Sequence, residues 1–185
     1  FLVFIIILGL ESARQAVASL KKGRRIEELE QFALNDSMTG FYNRNAYDYF
    51  IYNEKNIKNY MVVTFDLNNL KMCNDNYGHS SGDAYIIHSA HIIETTFDRF
   101  GKCYRIGGDE FCCLISDAAE FQIERFIQKM QQDIAILNNK NIIPTEVGIA
   151  CGYALATPDD ADIEKVRERA DEMMYHNKKV LKGLI

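Results

Sequence analysis

Two carboxylates and a pair of glycines are the residues in this chain whose types and spacing most clearly suit chemistry. Asp66 closes the run Tyr60–Asp66, YMVVTFD, whose β-branched and aromatic residues read as a buried strand. Asp109 and Glu110 follow directly on Gly107 and Gly108, inside KCYRIGGDEFCCLIS (102–116). A Gly-Gly pair between short apolar runs predicts a hairpin, with a type I′ turn that places φ > 0 at both glycines. A turn needs no acids, so the acid pair asks for another reason. If strand and hairpin are neighbours, Asp66 and Asp109 converge at one edge of the sheet. Two such carboxylates suit Mg²⁺, which prefers hard oxygen ligands, keeps water, and is held by one or two carboxylates plus substrate phosphates. A pair of these ions can activate an attacking hydroxyl and neutralise a leaving group. Two unrelated surface acids would give the same letters.

The elements that must position these residues follow from periodicity. Residues 11–34 are rich in Ala, Glu, Lys, Arg and Leu without proline, which predicts helix. Ala13, Val17 and Leu20 keep one phase and Ile26, Leu29 and Ala33 another, with a break near Gly23. A dimeric signalling connector and a single amphipathic helix on the domain's side both fit that pattern. DSMTGFYNR (36–44) is turn-rich, and Asn43 is placed to cap a helix running to about Tyr52. Leu67–His79 reads as a short helical turn and loop. A long helix starts at Ser80, with Ile86, Ala90, Ile93 and Phe97 on one stripe. Ile123, Phe126, Ile127, Met130 and Ile134 mark another helix, Glu146–Ala156 a strand, and Ile163, Val166, Ala170 and Met173 a last helix. Helix, strand, helix, hairpin, helix, strand, helix predicts an α/β fold, an α+β sandwich. Its central sheet would be mixed and mainly antiparallel, flanked by helices.

Composition bounds the rest. The 185 residues, 48% hydrophobic and 25% charged, suffice for one good core. A net charge of −5 argues against a large basic nucleic-acid footprint, so no DNA or RNA partner is expected. A nucleotide substrate stays open, because metal ions can carry a triphosphate past local acids. The five cysteines (73, 103, 112, 113, 151) fall mostly inside apolar runs without zinc-type spacing, so reduced thiols in a cytosolic compartment are expected. The sequence starts on Phe1, and the expectation is a fragment of a longer chain. FLVFIIILGL (1–10) is wholly apolar but half the length that spans a bilayer, so a core strand, a signal-peptide remnant and the tail of a transmembrane helix all fit. Lys21, Lys22, Arg24 and Arg25 follow at the distance where positive charge marks the cytoplasmic side. The expectation drawn is a membrane-helix tail with a cytoplasmic domain behind it.

The array Asp66, Lys71, Asn74, Asp75, Tyr77-Gly78-His79 and Gly82-Asp83 adds a pattern to these pieces. Together with DSMTGFYNR, RIGGDEF (105–111), EVGIACGYA (146–154) and ADEMMYHNKK (170–179), it resembles the GGDEF-domain diguanylate cyclases, from Asp36 to about Lys182. The resemblance implies a palm-like, nucleotidyl-cyclase-like domain over 35–185, which would follow the transmembrane-helix end and linker helix expected over 1–34 from the apolar and helical patterns above. It implies condensation of two GTP molecules to cyclic di-GMP in a homodimer, with Mg²⁺ or Mn²⁺, on the cytoplasmic side of a bacterial inner membrane. Carried over by position, Asp66, the Leu67 carbonyl and Asp109 would hold metal. Asp109 would also be the base for the 3′-hydroxyl, with Glu110 in support. Lys71 would sit on the triphosphate. Asn74 and Asp83 would bind guanine with His79 nearby, and Lys178 and Lys182 would reach the phosphates.

Plainer roles compete for several of these residues. Ser80-x-x-Asp83 reads as a capping box, Asn74 as a turn residue, and His79 as a local hydrogen-bonding group. Lys178 and Lys182 read as a solvated i, i+4 face. The chain departs from the family pattern at Asn68, Leu70, Ile106, Cys151 and Lys182. The family's product-inhibition motif, Arg-x-x-Asp, is replaced by Asp98-Arg-Phe-Gly101. An inactive domain that binds GTP or a cyclic dinucleotide, or only dimerises, is the alternative.

Overall fold

The computed structural model describes residues 33–54, 57–118 and 122–181, with positions 14, 17 and 21 ahead of them. The expected membrane-helix end at 1–10, most of the expected linker helix, and Lys182 lie outside the described residues. No helix among the described residues is long and apolar enough to cross a membrane.

Asn43 caps the helix that follows it, as its position suggests. Its side chain accepts from the Ala46 N–H at 3.1 Å and starts α1 (Arg44–Asn53). Strand β1 (Met61–Asn68) is buried along its whole length. It lies inside a four-stranded sheet of order β2-β3-β1-β4, with β2 (Gly101–Arg105), β3 (Glu110–Ile115) and β4 (Gly148–Leu155). All three strand pairings are antiparallel. The parallel element among the described residues is an isolated bridge, Tyr42 to Tyr104, on the outer rim of β2. Helices α2 (Leu70–Tyr77) and α3 (His79–Phe97) cross from β1 to β2, and the hairpin then returns β3 into the space between those two strands.

Both faces of the sheet are covered, which explains why YMVVTFD shows no polar alternation. Val63, Phe65 and Leu67 pack with Ile93 and Phe97 of α3 and Met130 of α4 (Ile123–Asn139). Val62 packs on the other face with Tyr47 of α1 and with Val166 and Ala170 of α5 (Ile163–Leu181). Truncating a side chain such as Phe97, which has no exposed surface, costs about 3–5 kcal/mol in a core of this kind. Alternation along β1 places Asp66 on the same face as Val62 and Thr64, the α5 side.

Two expectations change here. Cys103 and Cys113 stand opposite each other across β2 and β3, with Cα atoms 4.3 Å apart, and form a disulfide. The free thiols are those of Cys73, Cys112 and Cys151, all buried, so five reduced cysteines is corrected to three. The cause is strand register, which brings cross-strand Cα atoms to about 4.5 Å in non-hydrogen-bonded pairs. The hairpin also lacks a type I′ turn. Positive φ among the described glycines occurs at Gly40 and Gly78, not at Gly107 or Gly108. Residues 106–109 form the loop instead, closed by the N–H groups of Ile106 and Gly107 donating to the Glu110 carbonyl at 3.0 and 3.2 Å.

Candidate active site

The strand end is where the acids meet. Asp66 is paired in register with Glu110, and the Leu67 N–H donates to the Asp109 carbonyl at 3.0 Å. Asp66 and Asp109 therefore share one end of the sheet. A cavity of 460 Å³ opens there, and its walls include Leu67, Lys71, Asp109 and Lys178. Asn69 makes this wall possible. Its left-handed backbone, φ 62°, turns the chain from β1 straight into α2 and so delivers Lys71 to the cavity. Asparagine takes that conformation at less cost than most side chains.

Lys178 reaches the same place from α5. Its Nζ lies 2.5 Å from Oδ1 of Asp66, a carboxylate on a residue only 8% exposed. Two contacts set the helix close enough. A Cβ on Gly152 would stand 2.2 Å from both the Ala170 carbonyl oxygen and the Met174 nitrogen, so only glycine lets α5 lie this near β4. The Asn177 side chain then accepts from the Cys151 N–H at 3.1 Å. The carboxylates of Asp66 and Asp109 and the backbone oxygens beside them are the hard donors that Mg²⁺ takes. The ammonium on Asp66 is a stand-in for a cation at that carboxylate, so the residues present fit the metal.

The hairpin loop is held by a residue that motif reading did not single out. Arg105 donates from Nη2 to the Gly108 carbonyl at 2.8 Å and from Nη1 to Asp36 at 3.1 Å. Asp36 also accepts from the backbone N–H and the hydroxyl of Thr39, at 2.9 and 2.7 Å. Burial pushes the Asp36 carboxyl up, but the hydrogen bonds from Thr39 and Arg105 outweigh it and hold the group below its ordinary 3.8. A charged residue ending a strand directly beside the glycine pair was the available signal. A Cβ on Gly108 would meet nothing within 4 Å, so this loop backbone is open to close approach. Glu110 lies apart from Asp109: it borders a second cavity, of 280 Å³, with Arg167 and Asp171.

The expected base-binding residues sit on the two helices that follow β1. Gly78, at φ 84°, ends α2 and starts α3, and α3 has no side-chain cap. The Ser80/Asp83 capping box is therefore not formed, and Asp83 is exposed. Asn74 faces Gly82 so closely that a Cβ there would stand 1.9 Å from its Oδ1. Asn74, Asp83 and the exposed His79 are grouped on this helix pair and are not among the walls of the cavity that holds Lys71 and Asp109. Tyr85, also not anticipated, locks the strand ends. Its hydroxyl donates to the Asn68 carbonyl at 2.6 Å and accepts from the Gly148 N–H at 2.7 Å. Burial pushes that hydroxyl up to about 12, so it keeps its proton at neutral pH. A tyrosine in the apolar stripe of a long helix needs such a partner, which was the clue in the sequence.

With the geometry in place, the comparisons assign the class. Residues 33–182 match the family described as Diguanylate cyclase, GGDEF domain, and the chain belongs to that family. It is 31% identical over 157 residues to diguanylate cyclase DgcN of Escherichia coli, a match covering 82% of this chain and 38% of DgcN. It is 30% identical over 164 residues to the cyclic di-GMP phosphodiesterase PdeR of the same organism, covering 86% of this chain and 25% of PdeR. The chain thus spans well under half the length of both relatives. Among solved structures, the coiled coil and GGDEF domain of DgcB from Caulobacter crescentus, in complex with c-di-GMP, shares the fold. Its TM-score is 0.76 at 22% identity, covering 91% of this chain and 94% of that one.

Proposed function

We propose that this domain is a diguanylate cyclase, joining two GTP molecules into cyclic di-GMP with release of two pyrophosphates. The observation that carries the reading is the cavity at the end of β1, where Lys71, Asp109 and Lys178 surround one space beside Asp66. In each half-reaction the 3′-hydroxyl of one GTP attacks the α-phosphorus of the other, and the bond to pyrophosphate breaks. Asp109 accepts the hydroxyl proton. Lys71 and Lys178 neutralise charge on the triphosphate, where positioning and electrostatics do most of the catalytic work. Asp66, Asp109 and the Leu67 carbonyl would hold Mg²⁺ or Mn²⁺, which supplies charge neutralisation and hydroxyl activation. Asn74 and Asp83 bind guanine, the carboxylate accepting from N1–H and N2–H₂ together, with His79 beside them. Lys182, which the family resemblance also assigns to the phosphates, would add a further positive charge there.

The product is two-fold symmetric and each domain binds one GTP, so two copies must face each other in an isologous pair. The apolar run at 1–10 and the basic residues after it support a membrane-attached protein with this domain in the cytoplasm. The test is incubation with GTP and Mg²⁺, followed by chromatography for cyclic di-GMP and pyrophosphate. A verified dimer that makes neither would sink the reading. Tight GTP binding without turnover would select the alternative, a catalytically inactive nucleotide-binding module, and failure to bind GTP by calorimetry would select a dimerisation module.

A further inference from the structure

The bond between Lys178 and Asp66 fixes more than the position of a phosphate ligand. We propose that Lys178 is a tethered cation: its ammonium is the resident counter-ion of Asp66 in the unliganded domain. It leaves that carboxylate for the phosphates when a metal–nucleotide complex enters, so that metal and ammonium exclude each other at Asp66. The second half, the transfer to phosphate, rests on the cyclase reading above; the first half does not.

Three observations and one electrostatic argument support it. The ammonium is 2.5 Å from Oδ1, and the two side chains are only 26% and 11% exposed, so this is not a solvent-screened surface pair. The pairing is set by the fold rather than by chance reach, because Gly152 and Asn177 fix α5 against β4 immediately beside Lys178. Lys178 also lines the cavity that holds Lys71 and Asp109, so a rotation of its flexible stem carries the charge from Asp66 into the space proposed for the triphosphate. Finally, a divalent ion and an ammonium on one carboxylate would be like charges a few ångströms apart, in surroundings that screen them poorly. Competition of this kind is reciprocal: whatever weakens the lysine's hold must strengthen the metal's.

The test separates the two halves. Mn²⁺ binding without nucleotide is measured by electron paramagnetic resonance for the wild type, Lys178→Met and Lys178→Gln. Both variants are expected to bind Mn²⁺ about tenfold more tightly, within the usual range of coupling between two ligands. The same variants are expected to bind the α,β-methylene analogue of GTP, with Mg²⁺, about tenfold more weakly. Opposite signs for metal and nucleotide are the signature. Unchanged or weaker Mn²⁺ binding in a folded variant overturns the proposal, and tighter Mn²⁺ with unchanged nucleotide binding overturns the transfer. Should both variants fail to fold, the wild type decides: the Lys178 ammonium resonance must move when Mg²⁺ is added, and a static signal overturns the exclusion. A wild type that binds no GTP analogue sinks the cyclase reading, while tighter Mn²⁺ in the variants still upholds the counter-ion.

Discussion

Arg105 and Asp36, 69 residues apart in sequence, meet with Nη1 3.1 Å from Oδ1, while Nη2 of the same guanidinium holds the Gly108 carbonyl. One planar group thus ties the turn before α1 to the loop that carries Asp109. Lysine would keep the charge and lose the fork. Arg105→Lys is expected to lower GTP turnover about tenfold with the domain still folded, and Arg105→Ala to cost about 2 kcal/mol in urea unfolding as well. Wild-type turnover in the lysine variant would show that the loop needs no such grip.

The same pair gives a pH dependence. Asp36 sits below its ordinary 3.8 when folded, so folding favours its charged form. Its contribution is complete above the unfolded value and is lost as pH falls through the lower folded value. The difference in unfolding free energy between wild type and Asp36→Asn should stay flat from about pH 5 to 8 and shrink below about pH 4. A gap that widens on acidification would contradict the assignment.

Asp109 lines the cavity with Lys71 and Lys178, whereas Glu110 borders the other one. Asp109→Asn is expected to reduce turnover by about 100-fold or more, and Glu110→Gln by markedly less. Single-turnover assays on both variants check the order, and equal losses would return Glu110 to the reacting centre.

Gly82→Ala probes the base-binding helices. The added methyl would have to displace Asn74, whose Oδ1 would lie 1.9 Å away, and the neighbour is a movable side chain. The fold should persist while affinity for GTP drops about tenfold by calorimetry, the size of a lost hydrogen bond or two. Unaltered affinity would remove Asn74 from guanine recognition.

The disulfide is read by counting thiols. Alkylation of the denatured, unreduced chain should label three cysteines, Cys73, Cys112 and Cys151, and label all five after reduction. Five labels without reductant would show that Cys103 and Cys113 are thiols.

What the sequence revealed depended on how local each cause was. β1 and the stripes of α3, α4 and α5 were legible because burial leaves a periodic mark on the chain. Asn43 was legible as a cap because its bond spans three residues. The Asp66–Asp109 neighbourhood followed from strand order. The Arg105–Asp36 bond, the cysteine pairing and the grip of Asn177 on Cys151 were not legible. Each depends on register or on the depth at which one element seats on another, and neither quantity is written in spacing. The glycine pair misled for a related reason: the loop closes on the Glu110 carbonyl over more residues than a two-residue turn, and left-handed geometry is not needed.

The bond from Cys151 to Asn177 has a consequence for how copies of this domain meet. β4 is one of the two outer strands of the sheet, and an outer strand offers bare donors onto which a foreign strand can pair. The side-chain amide oxygen of Asn177 satisfies one of those donors from within the chain. One rung fewer is then open to a foreign strand along β4, and the residue that fills it sits next to Lys178 on α5.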